Sequence, residues 1–143
     1  MQLYGRSLPL TLMKVIIVED SEDDLLLLLR ILETGGYKIV HIRVETEEAF
    51  RVALQNGPWD LVISDHAMPS FSAPEALEIF KESGLDLPFI IVSETIGAEI
   101  AVAVMKAGAD DCIMKGDLAR LVPAMERGLK DAAIRAERKY YES

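Results

Sequence analysis

From Lys14 onward, short apolar blocks alternate with stretches whose apolar residues recur at helical spacing. Val15-Ile16-Ile17-Val18 and Leu61-Val62-Ile63 are continuous and rich in β-branched residues, the pattern of strands covered on both faces. Residues 37–44 predict a second strand through Ile39, Val40, Ile42 and Val44, residues 89–92 a fourth, and Cys112-Ile113-Met114 a short fifth. Ser21 before Glu22-Asp23-Asp24 opens a helix that Gly35-Gly36 closes, and Thr46 opens another that stops before Gly57-Pro58. Residues 74–83 and 96–107 predict two more helices. A last one starts at Leu118, with Pro123 in its first turns, where it is tolerated. The leucine run 25–29 is then the core face of the first helix rather than a docking surface. Strand and helix alternating five times predict an α/β fold, a doubly wound parallel sheet with helices on both faces.

In such a sheet, ligands bind beyond the carboxyl ends of the strands. Glu19-Asp20, Asp65, Ser93 and Lys115 each follow a strand, so all of them converge on one rim. Carboxylates gathered there repel one another and require a cation, for which Mg²⁺ is suited by its preference for oxygen ligands. A carboxylate so placed can attack phosphorus and form an aspartyl phosphate, and Asp65 is the best placed to do so. Lys115 and Ser93 are the donors that would meet the developing phosphoryl charge.

These residues, in this order, resemble bacterial two-component receiver domains. The likeness covers residues 14–129 and rests on Val-Ile-Ile-Val-Glu19-Asp20, Leu-Val-Ile-Ser-Asp65-His-Ala-Met-Pro, Ile-Ile-Val-Ser93, and Lys115 after Ala-Gly-Ala-Asp-Asp-Cys-Ile-Met. It implies a flavodoxin-like sheet of five strands in the order 2-1-3-4-5. It also implies that Asp65 is the phosphoacceptor, that Asp20, Asp65 and the backbone carbonyl of Ala67 hold Mg²⁺, and that Glu19 assists through water. Lys115 would pair with the phosphoryl group, and Ser93 would be the hydroxyl that moves toward it. The expected activity is that of a signalling switch, with only self-phosphorylation and self-dephosphorylation chemistry. Its expected partner is a sensor histidine kinase or phosphotransfer protein.

Three positions depart from the family pattern. Cys112 stands where an aromatic switch residue is usual. Gly116 follows the lysine in place of a cis proline, so a trans peptide is expected there. Glu94 follows the switch hydroxyl, where a small residue is common, and is expected to slow phosphorylation by small donors. Cys112 itself is expected to pack in the core rather than sense redox state. His66, a lone loop histidine, is read as neither metal ligand nor relay.

Composition narrows the remaining choices. A net charge of −9 and a pI near 4.7 in 143 residues argue against direct nucleic-acid binding. One cysteine excludes an internal disulfide framework and fits a cytoplasmic setting. No apolar run is long enough to cross a bilayer. Residues 1–13 are expected to be a leader of unassigned role and residues 14–134 the receiver domain. Residues 135–143 would be a charged helix extension or a linker to an output region, and a homodimer through the helix 4 to helix 5 face is a further expectation.

Two rival functions remain. A pseudo-receiver would bind partners without phosphorylation, and Cys112, Gly116 and Glu94 favour it. A Mg²⁺-dependent phosphohydrolase would need a second acid-base carboxylate after Asp65, where His66-Ala67 follows.

Overall fold

The apolar blocks form the middle of the molecule because helices cover both of their faces. The computed structural model describes residues 2–3, 6–7, 10–66, 68–69 and 71–142. Five parallel strands, β1 (Thr11–Val18), β2 (Tyr37–Val44), β3 (Leu61–Asp65), β4 (Phe89–Ser93) and β5 (Asp111–Met114), lie in the order β2-β1-β3-β4-β5. The helices are α1 (Glu22–Thr34), α2 (Glu47–Gln55), α3 (Ala73–Glu82), α4 (Ala98–Ala107) and α5 (Leu121–Glu142). The doubly wound sheet and its expected strand order are both observed. Gln2–Leu3 and Arg6–Ser7 pair antiparallel as a separate two-stranded sheet.

Alternation along β1 divides the core in two. Met13, Val15 and Ile17 pack with Leu25, Leu28 and Leu32 of α1 and Leu121 and Met125 of α5. Ile16 and Val18 pack on the other face, with Phe50 of α2, Leu77 and Phe80 of α3, and Val104 of α4. This two-sided burial explains why the strands read as unbroken apolar runs.

Element ends depart from the sequence reading for identifiable reasons. β1 begins at Thr11, three residues before Lys14, because Thr11 and Leu12 pair with Tyr37 and Lys38 although both are exposed. Backbone pairing without burial leaves no hydrophobic signal. α3 starts at Ala73 behind a Ser72–Glu75 capping box, with Pro74 in the first turn, where its missing N–H is harmless. α4 starts at Ala98 after Gly97, two residues later than expected. Residues Lys115–Arg120 form a 3₁₀ turn ahead of α5, interrupted by a non-helical Asp117. The Lys115–Gly116 peptide is trans, as expected; the cis peptide among the described residues is Gly57–Pro58.

The charged tail continues α5 without a break as far as Glu142. Contacts beyond the core packing of Leu121 and Met125 also dock the helix. At Gly128 the backbone comes so close that a Cβ would lie 2.9 Å from Cβ of Pro88, and Arg135 makes a forked contact with Asp86 at 2.8–3.1 Å. The Arg135 guanidinium holds the Asp86 carboxyl below the usual aspartate range. Because the folded value is depressed, the contact stabilises the protein at neutral pH and is lost as pH falls through that depressed value. Arg135→Ala is therefore expected to cost about 0.5 kcal/mol near pH 7, discounted for exposure, and close to nothing near pH 2. Paired urea titrations of the two proteins at both pH values check this.

Candidate functional site

The register of the sheet assembles the site. Val18 of β1 lies beside Ser64 of β3, so the next residues, Glu19 and Asp65, emerge together at the rim. Ser93 ends the neighbouring β4 and pairs with Met114, which delivers Lys115 to the same rim. Oxygen atoms of Glu19, Asp20 and Asp65 all lie within 4.8 Å of one another. Glu19 and Asp65 are buried, whereas Asp20 is exposed.

Lys115 supplies the opposing charge. Its Nζ lies 2.6 Å from Asp24 Oδ2, 3.2 Å from Glu19 Oε1 and 3.7 Å from Asp65 Oδ2, and its side chain is only 7% exposed. Burial alone would lower its pKa, but hydrogen bonding to Asp24 and the nearby charges of Asp65 and Glu19 outweigh that and keep it protonated. Glu19 is pushed up to about 7, first by burial and then by repulsion from Asp65, against the Ser21 N–H and Lys115, which favour its charged form. Two buried carboxylates and one exposed one, with a single ammonium among them, make a donor set of hard oxygens that suits a small divalent cation. The exposed Asp20 leaves that set open to water.

The remaining candidates are placed as follows. Ser93 is buried, and its hydroxyl donates to the Thr95 carbonyl at 3.0 Å. Glu94 is exposed. Cys112 is half-buried and packs against the α2–α4 side of the core, where burial and Asp111 push its thiol pKa up. Ala67 lies outside the described residues. His66 Nδ1 is buried and has no hydrogen-bond partner among the described residues, and the His66 carbonyl accepts from the Ala73 N–H.

Asp24 was missed as a site residue by sequence reasoning, which took it only as an acid of the first helical turn. The available signal was its spacing: Asp24 stands four and eight residues before the buried Leu28 and Leu32, on the inward stripe of α1. Glu22 and Asp23 face solvent.

Residues 15–126 match the response regulator receiver domain family. The chain belongs to that family. Among curated relatives of this receiver domain, the transcriptional regulatory protein PrrA of Mycobacterium tuberculosis is 30% identical over 102 residues, covering 71% of this chain and 43% of PrrA. Sensor histidine kinase GacS of Pseudomonas protegens is 28% identical over 127 residues, covering 85% of this chain and 13% of GacS. The chain thus spans less than half the length of these relatives.

Solved structures agree on the fold. The signal receiver domain of a LuxO repressor protein from Vibrio parahaemolyticus superposes with a TM-score of 0.76 at 25% identity, covering 87% of this chain and 95% of that one. The receiver domain of a signal transduction histidine kinase from Syntrophus aciditrophicus gives a TM-score of 0.67 at 28% identity, covering 83% and 91%. The chain is therefore similar both to a transcriptional regulatory protein and to the receiver domain of a signal transduction histidine kinase. Among the described residues, no helix is long and apolar enough to cross a membrane.

Proposed function

We propose that this receiver domain is a phosphoacceptor switch in which Asp65 takes a phosphoryl group from a phosphohistidine of a sensor kinase or phosphotransfer protein. The observation that carries this reading is Asp65 itself, buried at the end of β3, with Glu19 and Asp20 oxygens within 4.8 Å on one side and Lys115 Nζ at 3.7 Å on the other. An Asp65 carboxylate oxygen attacks phosphorus, the N–P bond breaks, and its electron pair returns to the imidazole, which takes up a proton. Mg²⁺ held by Asp20, Asp65 and the Ala67 carbonyl, with Glu19 behind it, would supply positive charge to the phosphoryl oxygens.

Lys115 supports the opposite side of the phosphoryl group. Ser93 exchanges its Thr95 partner for a phosphoryl oxygen, and that exchange pulls on the loop leading to α4. A local charge change thereby biases a two-state element. The chemistry is limited to gaining and losing this one group. The kinase partner is in keeping with the likeness to GacS and an output region with the likeness to PrrA, while exposed Val102, Met105 and Met114 suit a homodimer through α4, β5 and α5.

A pseudo-receiver is the competing reading, supported by Cys112, which offers no ring to couple to Ser93. Incubation with Mg²⁺ and acetyl phosphate, read by intact mass, separates the two. One added phosphoryl group that is absent from Asp65→Asn supports the switch. An adduct obtained only from a phosphorylated kinase domain supports the switch with Glu94 restricting small donors, and no adduct from either source supports the pseudo-receiver.

A further inference from the structure

Lys115 does not rest on Asp65. Its shortest contact is the 2.6 Å hydrogen bond to Asp24, followed by Glu19 at 3.2 Å, while Asp65 at 3.7 Å lies beyond hydrogen-bonding distance. Asp24 is not a mobile surface acid. Its backbone N–H donates to Ser21 Oγ at 3.2 Å in the capped first turn of α1, and its side chain is only 29% exposed.

We infer that Asp24 is a positioning residue that competes with Asp65 for Lys115, holding the ammonium on the α1 side of the site until a phosphoryl group draws it across. This rests on the phosphoacceptor reading of Asp65 and adds a restraint to it. A phosphoryl group brings nearly two negative charges, so it outbids a single carboxylate for the same ammonium. Before transfer, however, the Asp24 pair must stretch for Lys115 to meet the incoming oxygens. The competition therefore sets how readily the unmodified domain accepts the group.

Four forms of the whole chain test this: the parent, Asp24→Asn, Asp24→Glu and Asp23→Asn. Each is given Mg²⁺ and acetyl phosphate, whose phosphoryl group passes to an Asp65 oxygen as acetate leaves, and adduct formation is timed by intact mass. The Lys115 ammonium signal is followed separately by ¹⁵N NMR in the unmodified chain, assigned with Lys115→Arg. Asp24→Asn is expected to shift that signal and to speed adduct formation by about three- to tenfold, the scale of one partly exposed ion pair. Asp24→Glu should return the rate toward the parent value. Asp23→Asn, which removes the same charge from the exposed neighbour, should leave the rate within about twofold.

An unmoved Lys115 signal in Asp24→Asn overturns the pairing. A rate at or below that of the parent overturns the competition, and so does an equal acceleration in Asp23→Asn, which would assign the effect to bulk charge. A parent chain that accepts no phosphoryl group from any donor removes the phosphoacceptor reading, and this proposal with it, whatever the Lys115 signal shows.

Discussion

Lys115→Met is expected to lower the stability of the metal-free domain by about 3 kcal/mol, because it removes the buried ammonium that pairs with Glu19, Asp24 and Asp65. Methionine refills most of the space left by the lysine stem, so the cost is electrostatic rather than a cavity. Glu19 and Asp65 are left buried and facing each other, while Asp24, more exposed, recovers water. Glu19, already raised to about 7, can relieve the strain by taking up a proton. The loss is therefore larger at pH 8, where Glu19 is charged, than at pH 6, where it is largely neutral. Urea denaturation with a chelator at the two pH values measures it. An equal loss at both would mean that Glu19 does not report on Lys115. Added Mg²⁺ should narrow the gap, since a ligand of the native state stabilises it.

Phe50→Ala should cost roughly 3–5 kcal/mol, the range for emptying a fully buried aromatic site. Phe50 is 0% exposed and packs on Phe71, with ring centroids 5.9 Å apart and planes tilted by 56°. Phe71 and Met68 anchor the loop that follows Asp65, and both are buried. The substitution should therefore lower the melting temperature by roughly 10–17 °C and loosen the segment that follows Asp65. Phe50→Leu, which keeps most of the volume, should restore most of the stability. A melting curve for each variant decides the first point, and the adduct rate of the folded fraction decides the second. A fully normal rate in Phe50→Ala would show that the loop is held by other contacts.

Much of this arrangement was legible in the chain because burial writes itself into composition. Val15 to Val18 and Leu61 to Ile63 read as strands because both faces are covered, and Ser21 and Thr46 read as caps because each side chain accepts the N–H three residues on. Glu19, Asp65 and Lys115 were legible because a polar residue after such a block has only the rim to occupy.

What the sequence hid follows from interactions that leave no apolar trace. Thr11 and Leu12 join β1 through backbone pairing alone, so the supposed leader contributes to the sheet. The Ser72 cap starts α3 at Ala73, one residue before the proline that marks a helix start by its fixed φ. Asp24 was hidden because three consecutive acids in a first turn look alike until the direction of α1 selects one of them. The role given to the Ala67 carbonyl falls outside the described residues.

The undivided course of α5 has a mechanical side. From the close approach at Gly128 to Glu142 is fourteen residues, about 21 Å of rod at the rise of an α-helix. Gly128 is then a fulcrum and the charged end a pointer, once the exposed Arg135–Asp86 contact yields. A tilt of roughly ten degrees at that contact would carry Tyr141 sideways by about 3 to 4 Å on this geometry. Displacements of a few tenths of an ångström where the helix meets the sheet are thus magnified several-fold at its far end.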